Sequence, residues 1–382
     1  MTTSMHARPQ VRVGLAEKTV RDLLEAADIR VGGHRRHDIR VHDRGFYQRV
    51  LRDGRLGLGE SYVDGQWDTD ALDDLTARLI GSGATHPFRS WRGAFHLAAA
   101  RLLNLQTAVR ARRSVQRHYD LGNDLYRAML GETLVYTCAY WKWAADLDEA
   151  QRAKLDLVCR KLGLSPGMKV LELGCGWGTF ARHAAATYRV HVTGYTVSRE
   201  QFALGTELCR GLPVELHLAD YRTAHGTYDA VVSVGLLEHV GPKNHRLYME
   251  TIDRCLRPGG IAFVHTIGSN RSQILIDEWF HRHVFPNAAI PSLAQITAAM
   301  DGLFVPEDVH NIGPHYDRTL LAWARNFERA WPALRVRYGE RFRRIWRYYL
   351  LSSAGAFRAR FMQLYQIVMT RPGTRQPDCR VS

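Results

Sequence analysis

The stretch Val170-Leu-Glu-Leu-Gly-Cys-Gly-Trp-Gly178 decides how the chain folds, because the pattern of a buried strand runs into three glycines at alternate positions and Thr179 then opens a helix. Residues 170–173 read as a central parallel strand. Gly174, Gly176 and Gly178 let the backbone turn sharply and approach a ligand with no Cβ in the way. A plain glycine turn of this kind suits a dinucleotide whose pyrophosphate sits on the helix N-terminus. Here Glu172 stands two residues before the first glycine, and a carboxylate suits a cation. The ligand this combination fits best is S-adenosylmethionine (AdoMet), whose amino group and sulfonium are both positive.

Outward from that turn, strands and helices alternate. Helices are expected over 155–162, 180–187, 199–210 and 244–256, and strands over 169–173, 190–195, 214–218, 228–234 and 261–267, the last preceded by the turn Arg257-Pro-Gly-Gly260. The fold class is α/β, a Rossmann-like class I methyltransferase domain with a doubly wound parallel sheet, preceded by a small, mostly helical N-terminal domain. Ligands in such sheets lie beyond the carboxyl ends of the strands. Thr196, Asp220, 235–239 and 265–268 therefore belong to the same crevice as the turn, with Thr196, Ser198 and Gln201 placed for a ribose and Asp220 for an adenine amino group. As a bland alternative, Asp220 is a turn cap. The C-terminal hundred residues read as irregular and helical segments, with 335–350 as one helix.

A length of 382 residues implies more than one domain, and 52 Lys+Arg against 38 Asp+Glu gives a net charge of +14. Such a protein seeks polyanions, and nucleic acid and anionic lipid both qualify. No apolar run is long enough to span a bilayer, and the N-terminus lacks the apolar stretch of a signal peptide, so an intracellular protein is expected. The cysteines at 138, 159, 175, 209, 255 and 379 show no paired spacing, which argues against zinc and against a disulfide framework. The expected division is 1–108 as an N-terminal lipid-engaging domain, 109–124 as a basic linker and 125–382 as the catalytic domain. Within the first, Gly54-Arg-Leu-Gly-Leu-Gly-Glu-Ser-Tyr-Val-Asp-Gly65 reads as a turn-rich segment between helices or as a phosphate cradle. The stretch 81–114 interleaves arginines with Trp91, Phe95 and leucines, which suits either an interfacial helix or a linker helix packed on its own protein.

Four further segments are dense in reactive groups: His118-Tyr-Asp-Leu-Gly-Asn-Asp124, Tyr136-Thr-Cys-Ala-Tyr-Trp141, Leu237-Glu-His-Val-Gly-Pro-Lys243 and Val264-His-Thr-Ile-Gly268. Together with the glycine turn, Leu56-Gly-Leu-Gly-Glu-Ser-Tyr62 and Ala354-Gly-Ala-Phe-Arg-Ala-Arg360, they resemble the bacterial cyclopropane-fatty-acyl-phospholipid synthases over nearly the whole chain. The mycolic acid cyclopropane synthases are more distant and lack a comparable N-terminal domain. One departure is that Ser352 and Ser353 stand where some relatives have a cysteine, so a thiol there is not essential.

The resemblance implies methylene transfer from AdoMet to a cis double bond of an acyl chain in a membrane phospholipid, with bound bicarbonate accepting the proton as the ring closes. It implies a bicarbonate site of Cys138, Glu238, His265, the backbone at Ile267, and Tyr316, with no covalent role for the Cys138 thiol. AdoMet contacts are expected from Tyr136, Thr137, Glu172, Gly174, Cys175, Gly176, Thr196, Gln201, Asp220 and Tyr221. Tyr140, Trp141 and Tyr316 are available to face a carbocation. The expected partners are unsaturated phospholipid and an anionic membrane surface, with no nucleic acid, and the protein is expected as a homodimer, cytoplasmic and peripheral on the inner membrane face. A methyltransferase that stops before cyclisation needs the same fold and differs at the base site. A nucleic-acid methyltransferase would explain the charge, yet 235–239 lacks the Asp/Asn-Pro-Pro-Tyr type of motif. A lipid-binding or AdoMet-sensing protein on a dead scaffold would be expected to lack Glu238, His265 or Tyr316.

Overall fold

The computed structural model describes residues 8–83, 122–274 and 276–381. The expected domain boundary at 108, the basic stretch through Ser114 and the run from His118 to Leu121 lie outside the described residues. Contacts divide the chain into two units: Met1–Ala99, Asp277–Val284 and Trp331–Phe361 on one side, and Ala100–Ile276, Phe285–Ala330 and Met362–Ser382 on the other.

The first unit is mostly helical, with strands β1 (Arg40–Val41) and β2 (Trp67–Asp68) paired antiparallel. Helix Arg8–Glu25 turns Ala16, Val20 and Leu24 inward at helical spacing, and helix Gly45–Val63 buries Phe46, Tyr47 and Val50. The expectation of a turn-rich segment over 54–65 is corrected here: this segment continues the helix to Val63, with one kink at Gly54 (φ 59°, ψ −129°). A Cβ on Gly59 would lie 2.4 Å from Trp279 Cδ1. These glycines serve a kink and a close approach, which leaves the phosphate-cradle reading without support. Glu60 is buried and accepts from Arg282 (3.0 Å) and His283 (2.9 Å), and the hydrogen bond from His283 holds its carboxyl below the usual range.

In the second unit β3 (Lys169–Leu173) lies between β4 (His191–Thr196) and β6 (Tyr228–Val234), parallel to both. With β5 (Val214–Leu218), β7 (Leu256–Ser269), β8 (Val305–Asn311) and β9 (Met362–Thr370), the order is β5-β4-β3-β6-β7-β9-β8. Strand order reverses between β3 and β6, so the crevice opens there. Leu171 and Leu173 face a core with Tyr248, Met249 and Ile252, and Val170 faces another with Val158, Phe180 and Ala184. Burial on both faces explains the unbroken apolar run. Ser198 and Asp146 cap the helices Arg199–Leu208 and Leu147–Lys161 through the backbone amides of Gln201 and Glu149.

Three expectations change. The sheet is not wholly parallel, because β9 runs antiparallel to both β7 and β8, in a region read as irregular and helical. Strand β7 begins at Leu256, and its register jumps from Tyr228↔Leu256 to Ala230↔Ile261, so the expected turn at 257–260 is a bulge inside the strand. The run 335–350 is not one uninterrupted helix: it belongs to Pro314–Arg358, whose backbone leaves helical geometry at Gly339 (φ 74°, ψ 161°).

Gly54→Ala is expected to destabilise the first unit by about 1–3 kcal/mol, since a Cβ is strained at that φ and ψ. A fall in the urea midpoint of the full chain, followed through tryptophan fluorescence, checks it.

Candidate active site

At the carboxyl end of β3 the chain reverses, with the amides of Gly174 (3.0 Å) and Cys175 (2.9 Å) both donating to the Tyr195 carbonyl. Gly176, at φ +55°, faces open space on the side a Cβ would take, with only Gln201 Nε2 at 3.9 Å. That is the unobstructed backbone a bound ligand requires. Thr196 donates to Gln201 Oε1 (3.0 Å), so these two expected contacts form one buried pair after β4. Asp220 accepts from the Arg222 amide (3.0 Å) and guanidinium (3.3 Å), which makes it the cap of a single helical turn in this state. Tyr221 is buried, with its hydroxyl lacking a hydrogen-bond partner. Cys175 is a packed thiol raised by burial, 3.0 Å from where a Cβ on Gly194 would sit.

Glu172 is buried on β3, and its Oε2 has no hydrogen-bond partner. Burial pushes its carboxyl up to about 8, against the pull of the Lys154 charge. An aromatic chain runs from the glycine turn to Tyr316: Trp177 meets Tyr126 (5.1 Å), Tyr126 meets Tyr136 (5.4 Å), Tyr136 meets Trp323 (5.2 Å) and Trp323 meets Tyr316 (5.9 Å). Trp141 is in a different position, because the Arg318 guanidinium already covers its ring at 4.5 Å. Tyr140 packs against His315 at 4.9 Å. Of the three rings expected to face a cation, Tyr316 is the one in the chain leading to the turn.

The second cluster is built from the segment after β6 and from β7. Glu238 Oε1 accepts from the Ile267 amide at 2.7 Å, which unites two of the expected residues directly. His265 lies within β7, opposite Val234, as the expected strand 261–267 implies, and the strand runs on to Ser269. Its carbonyl accepts from the Gly235 amide (2.8 Å), tying it to the loop that carries Glu238. Burial raises Glu238 to about 7 and lowers His265 well below its ordinary value, so the imidazole is neutral at pH 7. Gln366 Nε2 lies 3.4 Å from His265 Nδ1, which with this amide orientation leaves the proton on Nε2. That Nε2 and Glu238 Oε2 are both buried without a partner. Cys138 is buried, its Sγ against the Ala139 carbonyl (3.3 Å) and Thr319 Oγ1 (4.0 Å), and burial pushes its thiol far from ionisation. That environment argues against a nucleophile.

Two residues escaped the reading of the sequence. Thr319 Oγ1 accepts from the Ala139 amide (3.1 Å) and Trp141 Nε1 (2.9 Å) while donating to the His315 carbonyl (2.8 Å), so one hydroxyl fixes the path of 139–141. Lys154 is buried and donates to Thr137 Oγ1 at 3.0 Å. Its signal was present: Gln151, Lys154, Leu155 and Val158 fall on one buried stripe of a helix, where a lysine is out of place.

Five neighbouring parallel strands from β5 to β7, β9 inserted antiparallel between β7 and β8, and the glycine turn after β3 define a class I AdoMet-dependent methyltransferase. The family described as mycolic acid cyclopropane synthetase matches residues 106–367. The chain is 46% identical over 351 residues to the cyclopropane-fatty-acyl-phospholipid synthase of Escherichia coli (strain K12), covering 92% of each. It is 33% identical over 349 residues to the tuberculostearic acid methyltransferase UfaA1 of Mycobacterium tuberculosis, covering 85% of this chain and 81% of that one. Among solved structures, the mycolic acid cyclopropane synthase CmaA1 complexed with SAH and CTAB superposes with a TM-score of 0.64 at 28% identity, over 70% of this chain and 99% of that one. The chain belongs to the cyclopropane synthase family of AdoMet-dependent methyltransferases.

Thr319→Val is expected to leave two buried donors without an acceptor and to cost about 2–4 kcal/mol. Differential scanning calorimetry of the full chain checks it, with an unchanged melting profile as the contrary result.

Proposed function

We propose that the protein transfers a methylene group from AdoMet to a cis double bond of an unsaturated acyl chain in a membrane phospholipid, closing a cyclopropane ring, with bicarbonate as the proton acceptor. The observation that carries this reading is that two polar atoms on segments tied together by backbone hydrogen bonds, His265 Nε2 and Glu238 Oε2, are buried without a hydrogen-bond partner. A neutral imidazole whose Nε2 bears the proton donates to an oxyanion, and a carboxyl raised to about 7 can share a proton with one. These are donors and acceptors suited to bicarbonate, and His265, Glu238, the backbone near Cys138 and Tyr316 would hold it. Bound there, it would supply a base beside the Glu238 carboxyl, which is tied to the Ile267 amide.

An alkene is a weak nucleophile, so most of the barrier must be lowered by alignment in a dry pocket. The glycine turn would hold the methionyl end of AdoMet, with Thr196 and Gln201 near its ribose and Asp220 and Tyr221 near its base. Tyr136, Trp323 and Tyr316 would present ring faces to the positive charge that develops on the acyl chain. Residues 1–108 are read as the lipid-engaging part and 109–124 as a basic linker, and the net charge of +14 favours an anionic lipid surface. No helix among the described residues is long and apolar enough to cross a membrane, in keeping with peripheral docking. Self-association as a homodimer belongs to the same reading.

Labelled AdoMet with vesicles of cis-unsaturated phosphatidylglycerol tests the reaction: fatty esters should gain one CH2 and resist mild hydrogenation. A methyl-branched product would instead identify an enzyme that stops before ring closure. In the same assay Glu238→Gln is expected to lower turnover by about 100-fold or more. The wild-type rate should rise with pH through about 7, as the Glu238 carboxyl loses its proton, and the variant should lack that limb. Full turnover in Glu238→Gln would contradict the assignment.

A further inference from the structure

Lys154 is a buried cation to which the mechanism above gives no task. It is 1% exposed, it sits on the core stripe of helix Leu147–Lys161, and its one hydrogen-bond partner among the described residues is Thr137 Oγ1 at 3.0 Å. An ammonium has three protons to donate and is strongly disfavoured in an apolar interior. A Leu or Met at this point would continue the stripe without that penalty. The lysine's surroundings explain its presence. Thr137, whose hydroxyl it holds, is wedged on the other side, where a Cβ on Gly235 would come within 2.8 Å of Thr137 Cγ2, and the Thr137 carbonyl accepts from Gln151 at 2.9 Å. The ammonium thereby fixes the segment entering the crevice beside the glycine turn.

Its charge acts on Glu172 of β3, Cys138, His183 of helix Thr179–Tyr188, and His265 of β7. The other titratable groups coupled to Glu172 are Cys159, Cys175 and Cys209. Burial keeps all of these thiols protonated and both histidines neutral at pH 7. Lys154 and Glu172 are therefore the two groups in this set able to carry charge. Burial alone favours the neutral form of each, and the lysine's field opposes it at the carboxyl.

We propose that Lys154 is a positioning residue of the cofactor site: it anchors Thr137, and its charge favours the carboxylate form of Glu172, the form suited to the cationic methionyl end of AdoMet. This rests on the reading of the glycine turn as the AdoMet site. Without Lys154 the Glu172 carboxyl moves further up, so the pH range over which affinity rises shifts upward relative to the wild type.

The test is AdoMet binding by isothermal titration to the full chain, at pH values on both sides of neutrality, for wild type, Lys154→Met, Lys154→Gln and Lys154→Arg. Lys154→Met should weaken binding at neutral pH about tenfold, the equivalent of one pKa unit at the carboxyl. Its affinity should recover as pH rises, and KM for AdoMet should change more than kcat. Lys154→Arg, which retains the charge, should stay near wild type. A merely structural lysine would not move the pH profile, and its replacement by an apolar chain of similar shape would leave thermal stability equal or higher. Wild-type affinity and profile in Lys154→Met overturn the proposal, as does a pH-independent loss shared by Lys154→Arg. If Lys154→Met does not fold, Lys154→Gln decides on the same readout, the pH shift supporting the proposal and a wild-type profile refuting it. Failure of the wild type itself to bind AdoMet would instead overturn the reading of the turn.

Discussion

The reversal of the chain at the end of β3 is the constraint on which the second unit depends. Two consecutive amides, from Gly174 and Cys175, converge on one carbonyl of the neighbouring strand, Tyr195. That arrangement needs a backbone at φ +78°, which glycine adopts without strain. It terminates the strand, aims Gly176 into open space and starts the helix at Thr179. Because β3 is also where strand order reverses, the same few atoms lie at the end of the sheet where doubly wound folds bind their ligands.

In the same half of the sheet the site is assembled from groups whose burial sets their protonation. Glu238 and Glu172 are carboxyls raised by desolvation, and His265 is a histidine held neutral by the same cause. Burying such groups is costly, so their positions are secured by the backbone: Glu238 by the Ile267 amide, and His265 by its carbonyl on Gly235 and by Gln366 beside its ring. The unpartnered atoms that remain, Glu238 Oε2, His265 Nε2 and Glu172 Oε2, mark where the protein leaves hydrogen-bonding capacity unused. A chain of aromatic rings lies between the turn and Tyr316, and it offers polarisable faces where fixed charges would bind water.

Much of the fold was legible because its causes are local. Residues 169–173, 214–218 and 228–234 are strands with the bounds their residue pattern indicates, since burial on one or both faces leaves a regular imprint on a strand. Glycine spacing in the turn is equally local, because a positive φ is a property of the residue that adopts it. The errors have a common origin. The segment 54–65 looked like turns because glycine is frequent there, yet those glycines answer to a kink and to Trp279, more than two hundred positions away in sequence. Strand β9 carries little alternation because it lies inside the sheet, between β7 and β8, and is buried on both faces almost throughout.

By itself the sequence determined the α/β class, the place of the glycine turn, and the carboxyl, imidazole and phenol that could do chemistry, because periodicity, backbone freedom and functional groups are written residue by residue. The tertiary structure alone decided that Glu238 is held by Ile267, that the Trp141 ring is covered by Arg318, that Thr319 governs the path of 139–141, and that a lysine lies buried beside Thr137. Those are relations between distant positions, and a side chain's solvation, and with it its charge, is set by the neighbours that folding brings.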